Sequence, residues 1–314
     1  NRLERLKEIL KPRETIPTTV TFIDIAGLVK GASRGEGLGN KFLHHIREAN
    51  VLAHVLRCFE DENVSNIQEG IDPVRDLEIV ETELFLADLE RVETFLEREK
   101  AKAKAKKKDE RKEIDFLESL RGNLSRGERA EFVKLQEYQE YILRELQLLT
   151  MKPRILVLNA GEKGQKESES ACREVIEKYG EVDTFVVSAK LEAEIAAIPP
   201  EDREDFMKEL GIDVEARSRF IEKSHELLGL IRYYTSAHEK LQSWSIKKGT
   251  TAPEAAGKIH SDMEKGFIRA EIMSYDDIVS LGSRTEIQHH GLLRTEGHKY
   301  VVQDGDVIKF LFNP

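Results

Sequence analysis

Residues 19–40 read TVTFIDIAGLVKGASRGEGLGN, and the reading of this stretch decides the fold. Val20 and Phe22 alternate with Thr19, Thr21 and Ile23 in a short β-branched run, which predicts a buried strand. The run ends in Asp24-Ile25-Ala26-Gly27. A carboxylate at the carboxyl end of a parallel strand, with a glycine just beyond it, suits a nucleotide–Mg²⁺ site. Asp24 would hold the metal's water shell, and the Gly27 N–H would reach a terminal phosphate because no Cβ blocks the approach. Leu28, Lys30, Gly31, Arg34, Gly35, Gly37 and Gly39 follow, in a loop too glycine-rich to be rigid alone. A γ-phosphate would order such a loop and hydrolysis would release it. Stripped of chemistry, the same residues are a strand, a turn and a linker.

Working outward, the 314 residues leave room for two or three domains. No apolar run approaches the ~18 residues of a membrane span, and no signal peptide opens the chain. Cys58 and Cys172 lack zinc or redox spacing and read as free thiols of a reducing compartment. The net charge of −10 is uneven: −3 over 1–82, −1 over 83–149, −6 over 150–229 and zero over 230–314. Contact with nucleic acid therefore has to come from local patches, not from a global field.

In chain order, Leu3, Leu6, Ile9 and Leu10 mark a short amphipathic helix stopped by Pro12. Lys41–Ala49 predicts a helix and Val51–Phe59 (VLAHVLRCF) a fully buried strand. His54 within it is a satisfied core histidine or a catalytic one. From about Glu81 the period becomes heptad-like. Phe85, Leu89, Val92 and Leu96 step by four, three and four, the seam of a coiled coil. Lys100–Lys112 reads as a solvated hairpin tip or a nucleic-acid contact. The return runs through Ile114, Leu117 and Leu120, breaks at Gly122-Asn123, and resumes from Leu135 to Leu149.

Strands return at Arg154–Leu158, ending in Asn159-Ala160-Gly161-Glu162, and at Thr184–Val187, ending in Ser188-Ala189-Lys190. A helix, Ser168–Lys178, lies between them. Buried strands alternating with helices, each strand closing on a polar cluster, predict a parallel sheet with a ligand at its carboxyl edge. Further on, Leu241–Ile246 and Phe267–Met273 read as strands. Thr251 caps a helix with Pro253 in its first turn. Tyr300–Val302 and Val307–Phe312 read as a hairpin turned at Asp304-Gly305, and the whole as a ubiquitin-like β-grasp domain.

Asp24-x-x-Gly27, Asn159-x-x-Glu162 and Ser188-Ala189-Lys190 thus fall in order on strand ends, matching the third, fourth and fifth motifs of a GTPase-type fold. With them, DIAGLVKGASRGEGLGNKFLHHIRE, HVLRCFEDENV, IKKGTTAPEAAGKIHSDMEKGFIRAE and YVVQDGDVIKFLFN closely resemble the YchF/Obg-like ATPase family of translation-factor P-loop proteins. The resemblance runs from end to end. It implies an α/β, GTPase-like P-loop NTPase sheet (1–82 and 150–229), an inserted helical coiled-coil domain (83–149) and a C-terminal β-grasp TGS domain (230–314).

That resemblance also implies a monomeric, cytoplasmic, ribosome-associated hydrolase of ATP with Mg²⁺, binding GTP more weakly. Guanine-selective enzymes carry N-K-x-D, whose aspartate accepts from the guanine N1–H and 2-amino group. Here Ala160 and Glu162 stand in place of the lysine and aspartate, and Asn159 would supply a polar contact to adenine. Leu28 occupies the position of a water-orienting glutamine, and Asn66 stands where many relatives have histidine, so no catalytic residue is assigned. No G-x-x-x-x-G-K-S/T loop occurs in the chain. The expectation is a chain truncated before that loop, and inactive as it stands. Lys247, Lys248, Lys258, Lys265 and Arg269, interleaved with Trp244, His260 and Phe267, read as an RNA-facing surface or as ordinary lysines around a core tryptophan. The rival functions are a non-enzymatic RNA-, ribosome- or protein-binding module, and a GTP-selective TGS GTPase.

Overall fold

The computed structural model describes residues 2–25, 38–61, 70–103, 111–130, 132, 134–161, 166–180, 183–199, 202–209, 216–237 and 239–313. The chain divides into two compact units, one of residues 1–22 with 221–314 and one of residues 23–220.

The chain opens with α1 (Arg2–Leu10), whose Leu6 is fully buried. Lys11 leaves the helix at φ +47, and Pro12 prevents another turn. Strand β1 (Glu14–Ile16) follows. The buried strand expected over 19–24 is not formed. Residues 17–25 lie outside any regular element, and Phe22 and Ile23 are 54% and 73% exposed. β-Branched alternation supplies propensity, but a strand persists only where a neighbour takes its N–H and C=O groups. Among the described residues this segment joins no strand ladder, and Thr18 meets β6 only through its hydroxyl, 2.9 Å from Ser245 Oγ.

In the unit of residues 23–220, α2 (Leu38–Glu48) leads into β2 (Leu52–Cys58). Helices α3 (Pro73–Ala103), α4 (Arg111–Ser125) and α5 (Glu137–Leu146) precede β3 (Arg154–Ala160). Then come α6 (Lys166–Tyr179), β4 (Thr184–Val187), α7 (Ala189–Ala197), α8 (Arg203–Glu209) and α9 (Ala216–Leu227), the last continuing into the other unit. The strands form a parallel sheet in the order β2-β3-β4, with Leu52 opposite Arg154 and Asn159 opposite both Arg57 and Val187. The start of α3 and α6 cover one face, where Leu56, Cys58, Leu77, Leu156, Leu158, Cys172 and Val175 form a core. Strand β2 is not buried on both faces as expected. Leu52, Leu56 and Cys58 are buried, but Val55, pointing the other way, is 67% exposed.

Phe85, Leu89, Val92 and Leu96 fall in one hydrophobic cluster. Val92 and Leu96 of α3 pack with Phe116, Leu117, Leu120 and Leu124 of α4 and with Ile142 and Leu146 of α5, flanked by Phe85 and Leu89. The expected break at Gly122-Asn123 does not occur, since α4 continues to Ser125 and the chain turns at Gly127, φ +69. An isolated helical glycine costs about 1 kcal/mol, which burial of Leu120 and Leu124 on either side offsets. Within the Lys100–Lys112 tip, residues 104–110 lie outside the described residues; Lys100 pairs with Glu118 at 2.6 Å. Asp88 of α3 fastens the helices to the turn entering β3. Its fully buried carboxylate accepts from Leu149 N–H (2.9 Å), Thr150 N–H (2.8 Å) and the Thr150 hydroxyl (2.8 Å).

The remaining elements are β5 (Leu230–Ala237), β6 (Lys240–Lys247), α10 (Ala252–Ile259), α11 (Ser261–Lys265), β7 (Phe267–Ser274), α12 (Tyr275–Leu281), α13 (Arg284–His289), β8 (Arg294–Glu296) and β9 (Asp306–Phe312). They build a mixed sheet in the order β1-β6-β5-β9-β7-β8. Thr251 and Glu254 form a reciprocal cap at the start of α10, with Pro253 in its first turn. Strand β1 joins the edge parallel to β6, and α1 buries Leu6 against Tyr234, Met273, Ile278 and Val307. The opening residues thus fold with the C-terminal unit.

The terminal hairpin is also replaced. Val301 bridges to Thr251, while β9 enters the middle of the sheet, parallel to β5 and antiparallel to β7. Val307, Ile308 and Phe310 are buried across its two faces, a burial that an edge hairpin does not provide. Gly266 admits the end of β9, because a Cβ there would lie 1.9 Å from Asn313 O.

Candidate nucleotide-binding edge

In a parallel sheet, ligands bind beyond the carboxyl ends of the strands, here Cys58, Ala160 and Val187. Asn159 is the last but one residue of β3, opposite Val187, and the next residue, Ser188, is the N-cap of α7. Ala189 N–H donates to Asn159 Oδ1 at 3.0 Å. A backbone N–H only donates, so the amide oxygen must face residue 189 and Nδ2 is the group turned elsewhere. The fourth and fifth sequence clusters are therefore brought together, as the strand-end pattern predicts. On the other side of Asn159, Gly161 N–H donates to Ser168 Oγ at 3.0 Å. Ser168, in the first turn of α6, is only 4% exposed.

At the end of β2, Arg57 turns back on its own strand exit. Its Nε donates to Phe59 O at 2.9 Å, and the guanidinium lies 4.9 Å from the Phe59 ring centre. Beneath it, Cys58 and Cys172 are buried free thiols. Their mutual hydrogen bond, with burial, pushes the Cys58 thiol far up, so it stays protonated. His54 lies further back, opposite Leu156. Burial, helped by the positive charges of Arg154 and Arg129, pushes it down to about 4, so it is neutral near pH 7. Its Nδ1 is buried without a hydrogen-bond partner among the described residues. It is a half-buried strand histidine, and it stands away from the carboxyl edge.

Asp24 is exposed, outside any element, and the structure does not bring it to Asn159. The next side chain, Ile25, packs against the cluster containing Leu52 and Leu149, at the amino ends of β2 and β3. The far end of β2 lies roughly 20 Å along the strand from there. Gly39 falls in α2. Gly27, Leu28, Lys30, Gly31, Arg34, Gly35, Gly37, Asn66 and Glu162 lie outside the described residues. Ala160 ends β3, and Lys190 is exposed in α7. Toward Mg²⁺ the described residues offer Asp24, and among them no three His, Cys, Asp or Glu side chains gather. Magnesium commonly takes one or two carboxylates with phosphates and water completing its octahedron, so the residue type fits even though its position here is apart from Asn159.

The lysine-rich surface is only partly assembled. Lys247 donates to Leu228 O at 2.8 Å, and Lys248, Lys258, Lys265 and Arg269 are exposed on β6–α10, α10, α11 and β7. Of the interleaved aromatics, His260 is exposed but Phe267 and Trp244 are engaged within the fold. Phe267 is buried, and Trp244 stacks on Tyr233 and donates to Thr235 Oγ1 at 3.0 Å. A cleft of about 420 Å³ beside α3 is lined by Arg47, Arg91 and Arg98 with Glu90 and Glu145. Arg47 and Arg91 donate to the carbonyls of Gln147 and Glu145 at the end of α5, which makes them helix-end partners. Sequence reasoning passed over Ser168; a serine in the first turn of the helix following a strand-end glycine was the available signal.

Comparison with known proteins bears on the whole chain. The family described as "50S ribosome-binding GTPase" matches residues 7–87. A YchF GTPase C-terminal family, described as "Protein of unknown function (DUF933)", matches residues 230–313. The "Ribosome-binding ATPase YchF" of Bacillus subtilis is 42% identical over 319 residues, covering 100% of this chain and 87% of the relative. The protein of the same name from Escherichia coli O157:H7 is 42% identical over 314 residues, covering 99% and 86%. The solved "Structure of the Schizosaccharomyces pombe YchF GTPase" superposes with a TM-score of 0.83 at 30% identity, covering 99% of this chain and 85% of that one. The expectations of a truncation before the phosphate loop and of an inactive chain find no support here, since the GTPase match already begins at residue 7. With such relatives matched across most of their length, the chain belongs to the YchF family.

Proposed function

We propose that the carboxyl edge of β2-β3-β4 binds a purine nucleoside triphosphate with Mg²⁺ and hydrolyses it, with ATP preferred over GTP. The observation that carries this reading is the Ala189 N–H to Asn159 Oδ1 hydrogen bond. With Oδ1 taken up there, Nδ2 would donate to a ring-nitrogen acceptor of the base, either N7, which both purines present, or N1, which accepts in adenine and carries a hydrogen in guanine. Ala160 and Glu162 supply neither the lysine nor the aspartate of a guanine clamp. Asp24 would hold Mg²⁺ through water, which requires its segment to take a position beside the three-stranded sheet. Bound there, Mg²⁺ would neutralise phosphate charge as it redistributes. Leu28 offers no hydrogen bond to water, so the water-orienting group comes from elsewhere.

In this reading residues 83–149 are a coiled-coil arm and residues 230–314 a TGS domain. Together they carry the nucleotide state to a ribosome in the cytoplasm, with Lys247, Lys248, Lys258, Lys265 and Arg269 toward RNA. The names of the bacterial relatives favour ATP and the ribosome; the name of the yeast structure favours GTP. Titration with fluorescent ATP and GTP analogues decides between them. Tighter ATP binding supports the proposal, tighter GTP binding reverses the base assignment, and binding of neither leaves a non-enzymatic module.

A further inference from the structure

The ladder between β2 and β3 ends at the pair Cys58–Ala160, and that between β3 and β4 one residue earlier, at Asn159–Val187. Gly161 is therefore the first residue past the sheet, and among the described residues no strand pairs with its main chain. What holds it is the Ser168 hydroxyl, accepting from its N–H at 3.0 Å. That hydroxyl is mounted on a rigid support. Ser168 is nearly fully buried, and Ala171, Cys172 and Val175 of the same helix are locked into the sheet core. Asn159 is thus bracketed, with its own Oδ1 tied to Ala189 N–H and the chain two residues on tied to Ser168. Loss of the Ala189 tie would free the direction in which Nδ2 points, and loss of the Ser168 tie would free the main chain two residues on. A hydrogen-bonding group recognises its partner well only while its supporting contacts hold it within a fraction of an ångström.

We infer that Ser168 is a positioning residue for base recognition, acting through the Gly161 main chain on Asn159. The inference rests on the nucleotide reading of this edge, and the test separates the two. Affinities of the full chain for ATP and GTP are measured for the wild type, Ser168→Ala and Ser168→Thr, with thermal unfolding alongside. In Ser168→Ala the Kd for the preferred nucleotide rises about tenfold, the equivalent of one well-placed hydrogen bond, and the ATP-to-GTP ratio moves toward one. Ser168→Thr, which keeps the oxygen, retains the wild-type ratio. A merely structural serine weakens both nucleotides equally, so an unchanged ratio in Ser168→Ala overturns the inference while leaving the nucleotide site standing. A wild type that binds neither nucleotide, or both alike, overturns the base site itself and Ser168's role with it.

Discussion

The two sheets of this protein treat their polar residues in opposite ways. In the six-stranded sheet the carboxylates at the turn before β9 are consumed internally. Asp306 accepts from Gln303 N–H at 2.9 Å and from the Tyr300 hydroxyl at 2.7 Å, and Asp304 accepts from Arg232 N–H at 2.9 Å. Both faces are covered, so adjacent Tyr233 and Tyr234 are each 1% exposed or less while pointing in opposite directions. The three-stranded sheet covers one face over β2 and β3, leaves Val55 and Val186 exposed, and keeps Asn159 and the start of α7 at an accessible edge. A region that satisfies its own donors and acceptors is built for stability. One that leaves a fixed amide at the end of a strand has a group to offer a ligand, as the proposed function requires.

This contrast is easiest to break at its most buried point. Tyr233→Ala removes a fully buried ring and its hydrogen bond to Ala255 O, and is expected to destabilise the C-terminal unit by about 4 kcal/mol in chemical denaturation. A loss below about 1 kcal/mol would show that the sheet is not closed on both faces. Asp88→Ala strands two buried amides and a hydroxyl. A loss of about 3 kcal/mol is expected, confined to the unit of residues 23–220 and visible as faster hydrogen exchange at Leu149 and Thr150.

His54 sharpens the comparison through pH. Its folded pKa, about 4, lies below the unfolded value of 6.5. The unfolded chain therefore binds a proton that the native chain refuses. The contribution of His54 is fully present above pH 6.5, declines as pH falls, and levels off below about 4. The full loss is about 3 kcal/mol. Subtracting the stability–pH curve of His54→Leu from that of the wild type isolates this slope, and parallel curves between pH 6.5 and 4 would show that the ring is not held neutral. The smallest effect is expected at Val55→Thr, on the open face, where stability stays within about 0.5 kcal/mol of wild type. A larger loss would mean that something covers that face.

Much of the parallel sheet was legible because its strands are short apolar runs that end abruptly in polar clusters. Arg154–Ala160 and Thr184–Val187 are such runs, and the Asn159 and Ser188–Ala189 clusters do meet. Strand β5 escaped because LIRYYTSA shows no alternation, its two tyrosines serving a core on each face. The 19–24 run misled for the reverse reason. Its composition suits a strand, but pairing depends on what lies alongside, which local pattern does not encode. Strand β9 was recognised as a strand and given the wrong neighbour, since Asp304-Gly305 specifies a turn without specifying which strand comes next. Ser168 left no periodic mark, because a hydroxyl reaching back seven residues to an amide is a tertiary contact.

In the proposed function the Asn159 amide, held by Ala189, reads the base of a bound nucleotide. Equilibrium titration of ATP into Asn159→Ala beside the wild type tests it most directly. The account predicts a Kd at least about tenfold higher for the variant, as expected when one directed hydrogen bond is lost, with unfolding temperature little changed. ATP binding as tight in Asn159→Ala as in the wild type would contradict it.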